Sequence, residues 1–164
     1  MARHTAGKQP TLRSRPLHSI GPIMPIVIKS LSSLTEEEGA ALAAPLLAFN
    51  RAAFPAMDAQ TVALILESNG ERIEGGLWGE ILYDWLRIDI VAVPENLRGA
   101  GIGTRLMVEA EAAARHAGCE GLWLDTFSFQ ARGFYEKLGF EIAGEIPNHP
   151  RGESRYFMRK QLHL

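Results

Sequence analysis

The sequence predicts an α/β fold: a mixed, mostly antiparallel sheet flanked by helices, with one parallel strand pair. Three observations carry this. Short apolar segments with polar alternation recur along the chain, separated by turn residues. Asn69-Gly70 joins two of them as a hairpin, since both residue types tolerate positive φ. Finally, Trp85 to Thr126 reads as strand, glycine-rich turn, helix and strand, and a helical crossover returns the chain parallel to where it began.

The elements follow in order. Ile26 to Leu31 is a short apolar run expected to form a first strand. Ser33-Leu34-Thr35-Glu36 has capping-box spacing, and a helix is expected from there to about Asn50 with Leu42, Leu46 and Leu47 on one side. Phe54-Pro55 ends it. Thr61–Glu67 and Arg72–Tyr83 are the two hairpin strands, the second weakened or bulged at Gly75-Gly76. Trp85–Val93 alternates clearly: Leu86, Ile88, Ile90 and Ala92 are expected on one face, with Trp85, Arg87, Asp89, Val91 and Val93 on the other. A helix to about His116 should bury Leu106, Met107, Ala110 and Ala114, and Gly118 stops it. Gly121–Thr126 is a strand, Phe129–Leu138 a short helix, and Phe140–Ile146 and Ser154–Gln161 are the last two strands.

Composition excludes several classes. The chain has 164 residues, 46% hydrophobic and 22% charged, which suits one soluble globular domain. A net charge of −2 gives no case for nucleic acid or a membrane surface as partner, and no apolar run is long enough to span a bilayer. A single cysteine, Cys119, excludes an internal disulfide framework, suits a reducing cytoplasm, and reads as a structural thiol. Residues 1–23 hold four of the 17 basic residues (Arg3, Lys8, Arg13 and Arg15) and no acid, leaving 13 basic against 19 acidic in the rest. With Pro10, Pro16 and Pro22 and no periodicity, this head is expected to be disordered, an extension to a single domain over 24–164. A transit peptide, a flexible tail, a cloning remnant and a start codon placed too early remain open for it, the last favoured by Met24 just before the first strand. No residues have metal-ligand spacing.

The chemistry centres on Arg98-Gly99-Ala100-Gly101-Ile102-Gly103. A glycine turn entering a helix aims unpaired amides, at the positive end of the helix dipole, at one point, which suits an anion and above all a phosphate. A Walker loop needs Lys followed by Ser or Thr, but Thr104-Arg105 stand there. A dinucleotide fingerprint needs G-x-G-x-x-G, but counting from Gly99 ends on Thr104 and from Gly101 on Leu106. Asp125, about 20 residues on, has a spacing that fold would use and is set aside as coincidence.

The remaining pattern is Arg98, Gly101 and Gly103 after Val91-Ala92-Val93-Pro94, followed downstream by Phe134-Tyr135-Glu136-Lys137-Leu138-Gly139-Phe140. Over roughly Trp85 to Phe140 this resembles the GNAT acyltransferase superfamily, and Trp85 to Asp89 and Thr126 to Arg132 resemble its bacterial members. The resemblance implies acetyl-CoA as co-substrate, with its pyrophosphate on the amides from Arg98 through Gly99, Ala100, Gly101, Ile102 and Gly103 to Thr104. It implies that Trp85–Val93 and Gly121–Thr126 splay apart around the pantetheine arm, with backbone bonds from Val91, Ala92 and Val93 and with Phe134 nearby. The amide of Val91 or a neighbour is a candidate oxyanion donor. Gln130 stands where the family often has an asparagine on the cofactor. Tyr135 matches the tyrosine that protonates the departing thiolate, although it also reads as a core aromatic beside Phe134. Asp89 is the leading candidate for the base that neutralises the amine, with a plain ion pair to Arg87 or a place on a solvated face as the equal alternative; Glu80 and Asp84 are weaker. His116 and His149 have no assigned role.

The function so implied is an N-acetyltransferase acting on a primary amine of a small molecule or peptide, by direct attack in a ternary complex. A non-catalytic acetyl-CoA sensor and a protein-lysine acetyltransferase are the alternatives. The acceptor site is expected from Asn50–Phe54, Tyr83-Asp84-Trp85 and Asn148–Arg155. A homodimer through the C-terminal strands is common in such folds.

Overall fold

The computed structural model describes residues 26–54 and 59–162. Its elements are α1 (Glu36–Ala53), β1 (Gln60–Ser68), β2 (Glu71–Leu82), β3 (Trp85–Ala92), α2 (Ile102–His116), β4 (Gly121–Phe127), α3 (Arg132–Lys137), β5 (Glu141–Pro147) and β6 (Ser154–Gln161). A division between two compact units falls at Leu42/Ala43, inside α1. The expected extension over residues 1–23 lies outside the described residues.

Before the helix, the structure departs from expectation. Residues 26–31 form no strand, and Ile26, Val27, Ile28 and Leu31 are exposed. A strand is half of a ladder, and this run has no ladder partner. The capping box is real but sits two residues later than expected. Thr35 Oγ1 accepts from the Glu38 amide at 3.2 Å, and Glu38 Oε2 accepts from the Thr35 amide at 2.8 Å. The Thr35 amide first, and then the Thr35 hydroxyl, which donates to Glu38 Oε2 at 3.1 Å, hold the Glu38 carboxyl below its ordinary pKa. Leu42, Leu46 and Leu47 lie exposed on α1, which buries no residue.

The second unit holds a six-stranded sheet in the order β1-β2-β3-β4-β6-β5. Every neighbouring pair is antiparallel except β3 with β4. Asn69 (φ 53°) and Gly70 (φ 81°) make the β1–β2 turn, the primed geometry that matches strand twist. The Gly75-Gly76 pair lies at a register shift, since Ile65 faces Gly76 and Leu66 faces Ile73.

The parallel pair is short. Trp85, Leu86, Arg87 and Ile88 face Gly121, Leu122, Trp123 and Leu124, and there the ladder ends. A side chain at Gly121 would start 2.5 Å from the Trp85 indole, so the glycine and the tryptophan fix this register together. At the other end lies a bulge: Gly79 faces Ile88 and Trp78 faces Ile90, leaving Asp89 unpaired. A Cβ at Gly79 would lie 2.2 Å from the Arg87 carbonyl oxygen, so only glycine allows this close approach.

That extra residue corrects the expected faces of β3. Leu86 and Ile88 are buried, but beyond the bulge Val91 and Val93 pack on the core while Ile90 is 52% exposed. The alternation changes phase at Asp89, which therefore does not share a face with Val91 as simple alternation requires.

The core is built from Leu86, Ile88, Leu122, Leu124 and Met158 of the sheet, with Leu106, Met107, Ala110 and Ala114 of α2 buried as their spacing predicts. Buried Cys119 lies between α2 and β4, and burial raises its thiol pKa, with the Asp84 charge adding to it. No helix among the described residues is long and apolar enough to cross a membrane. Leu86 has no exposed surface, so Leu86→Ala leaves a cavity and should lower stability by about 2–5 kcal/mol. Urea denaturation should show a lower midpoint at an unchanged slope.

Candidate active site

A cleft of about 1,060 Å³ opens where β3 and β4 part. Ligand sites in such sheets lie at the carboxyl ends of the strands, where neighbouring connections diverge. Beyond Ile88 the backbone of β3 has no rung to β4, so its peptide groups on that side are left for another partner.

One end of the cleft is the start of α2. Gly99 and Gly101 have φ of 77° and 78°, values an L side chain rarely adopts. Gly101 caps the helix, and the first intrahelical bond runs from the Arg105 amide to the Gly101 carbonyl oxygen (3.0 Å). The amides of Ile102, Gly103 and Thr104 precede it and find no acceptor within the helix. No side chain caps this terminus and no acid lies in its first turn, so the positive end of the dipole is open to the cleft. Gly103 serves differently. A Cβ there would meet the Phe134 ring at 3.3 Å, so its absence lets α2 settle against α3.

The expected site residues gather here with one exception. Asp89, Val91, Ala92, Val93, Arg98, Gly99, Gly101, Ile102, Gly103, Thr104, Gln130, Phe134 and Tyr135 line the cleft, and Ala100 does not. Three of them, Asp89, Arg98 and Gln130, bond through their side chains within the protein. Arg98 Nε donates to the Val93 carbonyl oxygen (3.1 Å), pinning the strand end and occupying one of that oxygen's two lone pairs. Gln130 Oε1 accepts from the Phe127 amide (2.9 Å) and the Thr126 hydroxyl (3.3 Å), leaving only its amide end for a ligand. These bonds also explain why α3 begins at Arg132 rather than Phe129: residues 128–131 form a turn fastened by Gln130.

Tyr135 is 8% exposed and packs edge-on against Phe134 and Phe140, with ring centroids at 5.1 and 5.9 Å. Its hydroxyl takes no hydrogen bond from the described residues, yet it is not sealed in, since every fully buried side-chain polar atom has a partner. Burial first, and the Asp125 charge second, push its pKa above the ordinary value.

At the other end stand carboxylates and aromatics. Arg87 bridges Asp89 (2.7 Å) and Glu80 (3.1 Å), the pairing considered as Asp89's alternative role. Arg155 Nε donates to Asp125 Oδ2 at 2.7 Å. Phe127 and Phe129 stack at 5.3 Å, and His149 lies 5.9 Å from Phe127. The β5–β6 loop is tied to this turn, since the Ser128 amide donates to the Ser154 carbonyl and the Ser128 hydroxyl bonds Glu153. None of the three segments expected around the acceptor, Asn50–Phe54, Tyr83-Asp84-Trp85 and Asn148–Arg155, lines the cleft; the turn at 83–85 opens β3, while the cleft lies past that strand's fourth paired residue. Glu80 and Asp84 are likewise off the cleft. Asp125, Thr126, Phe127 and Phe129 were missed as site residues; the signal available was their place at the carboxyl end of the second parallel strand.

A second groove of about 500 Å³ lies between β1 and α2, lined by Leu64, Leu66, Ile102 and Arg105 among others. No group of three metal-ligating side chains occurs among the described residues.

Comparison with known proteins gives the family and the fold. The sequence profile of the acetyltransferase (GNAT) family matches residues 30–140. A blasticidin-S acetyltransferase of Streptomyces morookaense is 44% identical over 96 residues, covering 57% of this chain and 71% of that protein. An acetyltransferase of Agrobacterium fabrum is 33% identical over 133 residues, covering 80% of this chain and 97% of the relative. The crystal structure of an acetyltransferase from Bacillus cereus superposes with a TM-score of 0.72 at 32% identity, over 82% of this chain and 98% of that one.

A raised Tyr135 pKa has a signed consequence for stability. The unfolded chain loses this proton first, near pH 10, so above that pH it binds fewer protons than the folded protein. The contribution is whole below pH 10 and is lost as pH rises through the folded value. Denaturation from pH 9 to 11 should show a steeper loss in the parent than in Tyr135→Phe, with phenolate absorbance reporting the late-titrating group.

Proposed function

Because the chain belongs to the acetyltransferase (GNAT) family, we propose that it moves the acetyl group of acetyl-CoA to a primary amine of a small molecule or peptide by direct attack in a ternary complex. The observation that carries this is the single cleft joining an open helix N-terminus, a fork of unpaired β3 backbone, a tyrosine hydroxyl without a hydrogen-bond partner and a carboxylate.

The residues fit acetyl-CoA. Free amides of Ile102, Gly103 and Thr104, with no competing acid, suit a pyrophosphate. The bare edge of β3 at Val91 and Ala92 suits the amides of a pantetheine arm, which would bond to it as an added strand does. Val93 contributes its side chain and amide, its carbonyl being held by Arg98. When bound, the thioester supplies an activated acetyl group.

Asp89 accepts the proton that an ammonium must lose before it can attack. The bulge projects its carboxyl at the mouth of the fork, and Arg87 orients it through Oδ1 alone. An amide of β3, at Val91 or beside it, steadies the oxygen charge that develops on the carbonyl. Tyr135, a phenol neutral at neutral pH whose burial raises its pKa further, gives its proton to the departing sulfur and regains one from the nitrogen as the amide forms. The Streptomyces relative, a blasticidin-S acetyltransferase, favours an antibiotic-sized amine as acceptor.

The test is release of free thiol from acetyl-CoA across a broad panel of primary amines. Turnover with at least one amine is expected, and Tyr135→Phe should lower kcat about 10²–10⁴-fold with acetyl-CoA affinity unchanged. Full activity in Tyr135→Phe removes the tyrosine from the mechanism, and silence with every amine contradicts the reading.

A further inference from the structure

The geometry points to an acceptor with two positive centres, its reacting amine at Asp89 and a second cationic group at Asp125. This rests on the reading of the cleft given above and names the substrate class of that site.

Four observations converge. The last parallel rung pairs Ile88 with Leu124, so the next residues outward are Asp89 and Asp125, one on each arm of the fork. Both carboxyls lie on the sheet face away from Ile88 and Leu124, since Asp89 bonds Arg87 and Asp125 bonds Arg155, and both line the cleft. The ladder ends before them, so the two carboxylates stand on separated arms with the cleft between. Each carboxylate holds an arginine with one oxygen, and a dication between the arms would use the other.

The arginines leave the carboxylates half used. Arg87 Nε holds Asp89 by Oδ1 and Arg155 Nε holds Asp125 by Oδ2, and the remaining oxygen of each takes no hydrogen bond from the described residues. Arg87 is shared with Glu80. The group therefore contains three carboxylates, of Glu80, Asp89 and Asp125, against two guanidinium ions, and one negative charge is unmatched. Arg155 is held away from the cleft, wedged 5.4 Å from the Phe127 ring and 5.6 Å from Phe157.

The neighbouring wall suits a cation. Phe129 lines the cleft with 61% of its surface exposed, and an aromatic face attracts positive charge. An independent sign of a ligand at this place is Tyr135, more than nine-tenths buried, lining the same cleft, with no hydrogen-bond partner for its hydroxyl. Asp125 is close enough for its charge to oppose ionisation of that phenol. The proton donor and the second carboxylate thus line the same cleft.

The experiment compares matched pairs of straight-chain amines of three to six carbons, 1,4-diaminobutane against butylamine being one, by thiol release at saturating acetyl-CoA. The diamine of each pair should have the higher kcat/KM, by on the order of 10–100-fold for a charge-assisted contact. In Asp125→Asn this ratio should fall towards one, through KM more than kcat, and Asp125→Glu should restore part of it. Acetyl-CoA affinity, measured in each variant, confirms that the cleft is intact. Turnover by the parent with equal preference for monoamines overturns the proposal, as does a preference that survives Asp125→Asn. Because both leave turnover in place, they are distinct from failure of the acetyltransferase reading, in which no amine releases thiol and both fall. If Asp125→Asn does not fold, the parent's ratio alone decides.

Discussion

Most of this molecule follows from how far two strands stay together. β3 and β4 share four rungs, from Trp85 with Gly121 to Ile88 with Leu124, and then separate. The near end is locked by bulk, because the Trp85 indole occupies the space a side chain at residue 121 would need. The far end is released by the bulge at Asp89, which Gly79 permits and which shifts the phase of the strand. A fifth rung would close the cleft, cover the β3 peptide groups and press two carboxylates together. Keeping those peptide groups unpaired has a cost, and such a cost is met where a ligand can supply the missing bonds.

The two ends of the cleft differ in sign. At one, the uncapped start of α2 carries a partial positive charge of roughly half a unit. At the other, the carboxylates of Glu80, Asp89 and Asp125 outnumber the guanidinium ions of Arg87 and Arg155 by one negative charge. Tyr135 lies between, in surroundings that favour its neutral form. An elongated ligand with phosphates at one end and an amine approaching the other finds complementary charge along its length. The arginines act here as scaffolding: each fixes one carboxylate oxygen and leaves the second to the cleft.

What the sequence disclosed and what it hid divide along a physical line. Local signals were legible: the Asn69-Gly70 turn, the buried stripe Leu106, Met107, Ala110 and Ala114, and the glycine entry to α2 each depend on residues close in the chain. The capping box was placed two residues early because Ser33 and Thr35 both offer a hydroxyl three residues before a glutamate, and only the fold selects Thr35. The bulge was hidden, since its cause is the closeness of Gly79 to Arg87 on another strand. With it went the faces of Ile90 and Val91. Asp125 was passed over for the same reason: its meaning comes from its register beside Asp89, set by a helix and a turn between them. The run Ile26 to Leu31 looked like a strand by content, but a ladder partner is not a local property.

The central claim is that the fork between β3 and β4, together with the start of α2, is the acetyl-CoA site. Backbone amide resonances recorded while the full chain is titrated with coenzyme A test it directly. Shifts at Val91, Ala92 and Gly101 through Thr104, with Asp125 and Gln130 following, are the result the account predicts. Shifts confined to Leu64, Leu66 and Arg105 along the groove between β1 and α2, or none at all, would contradict it.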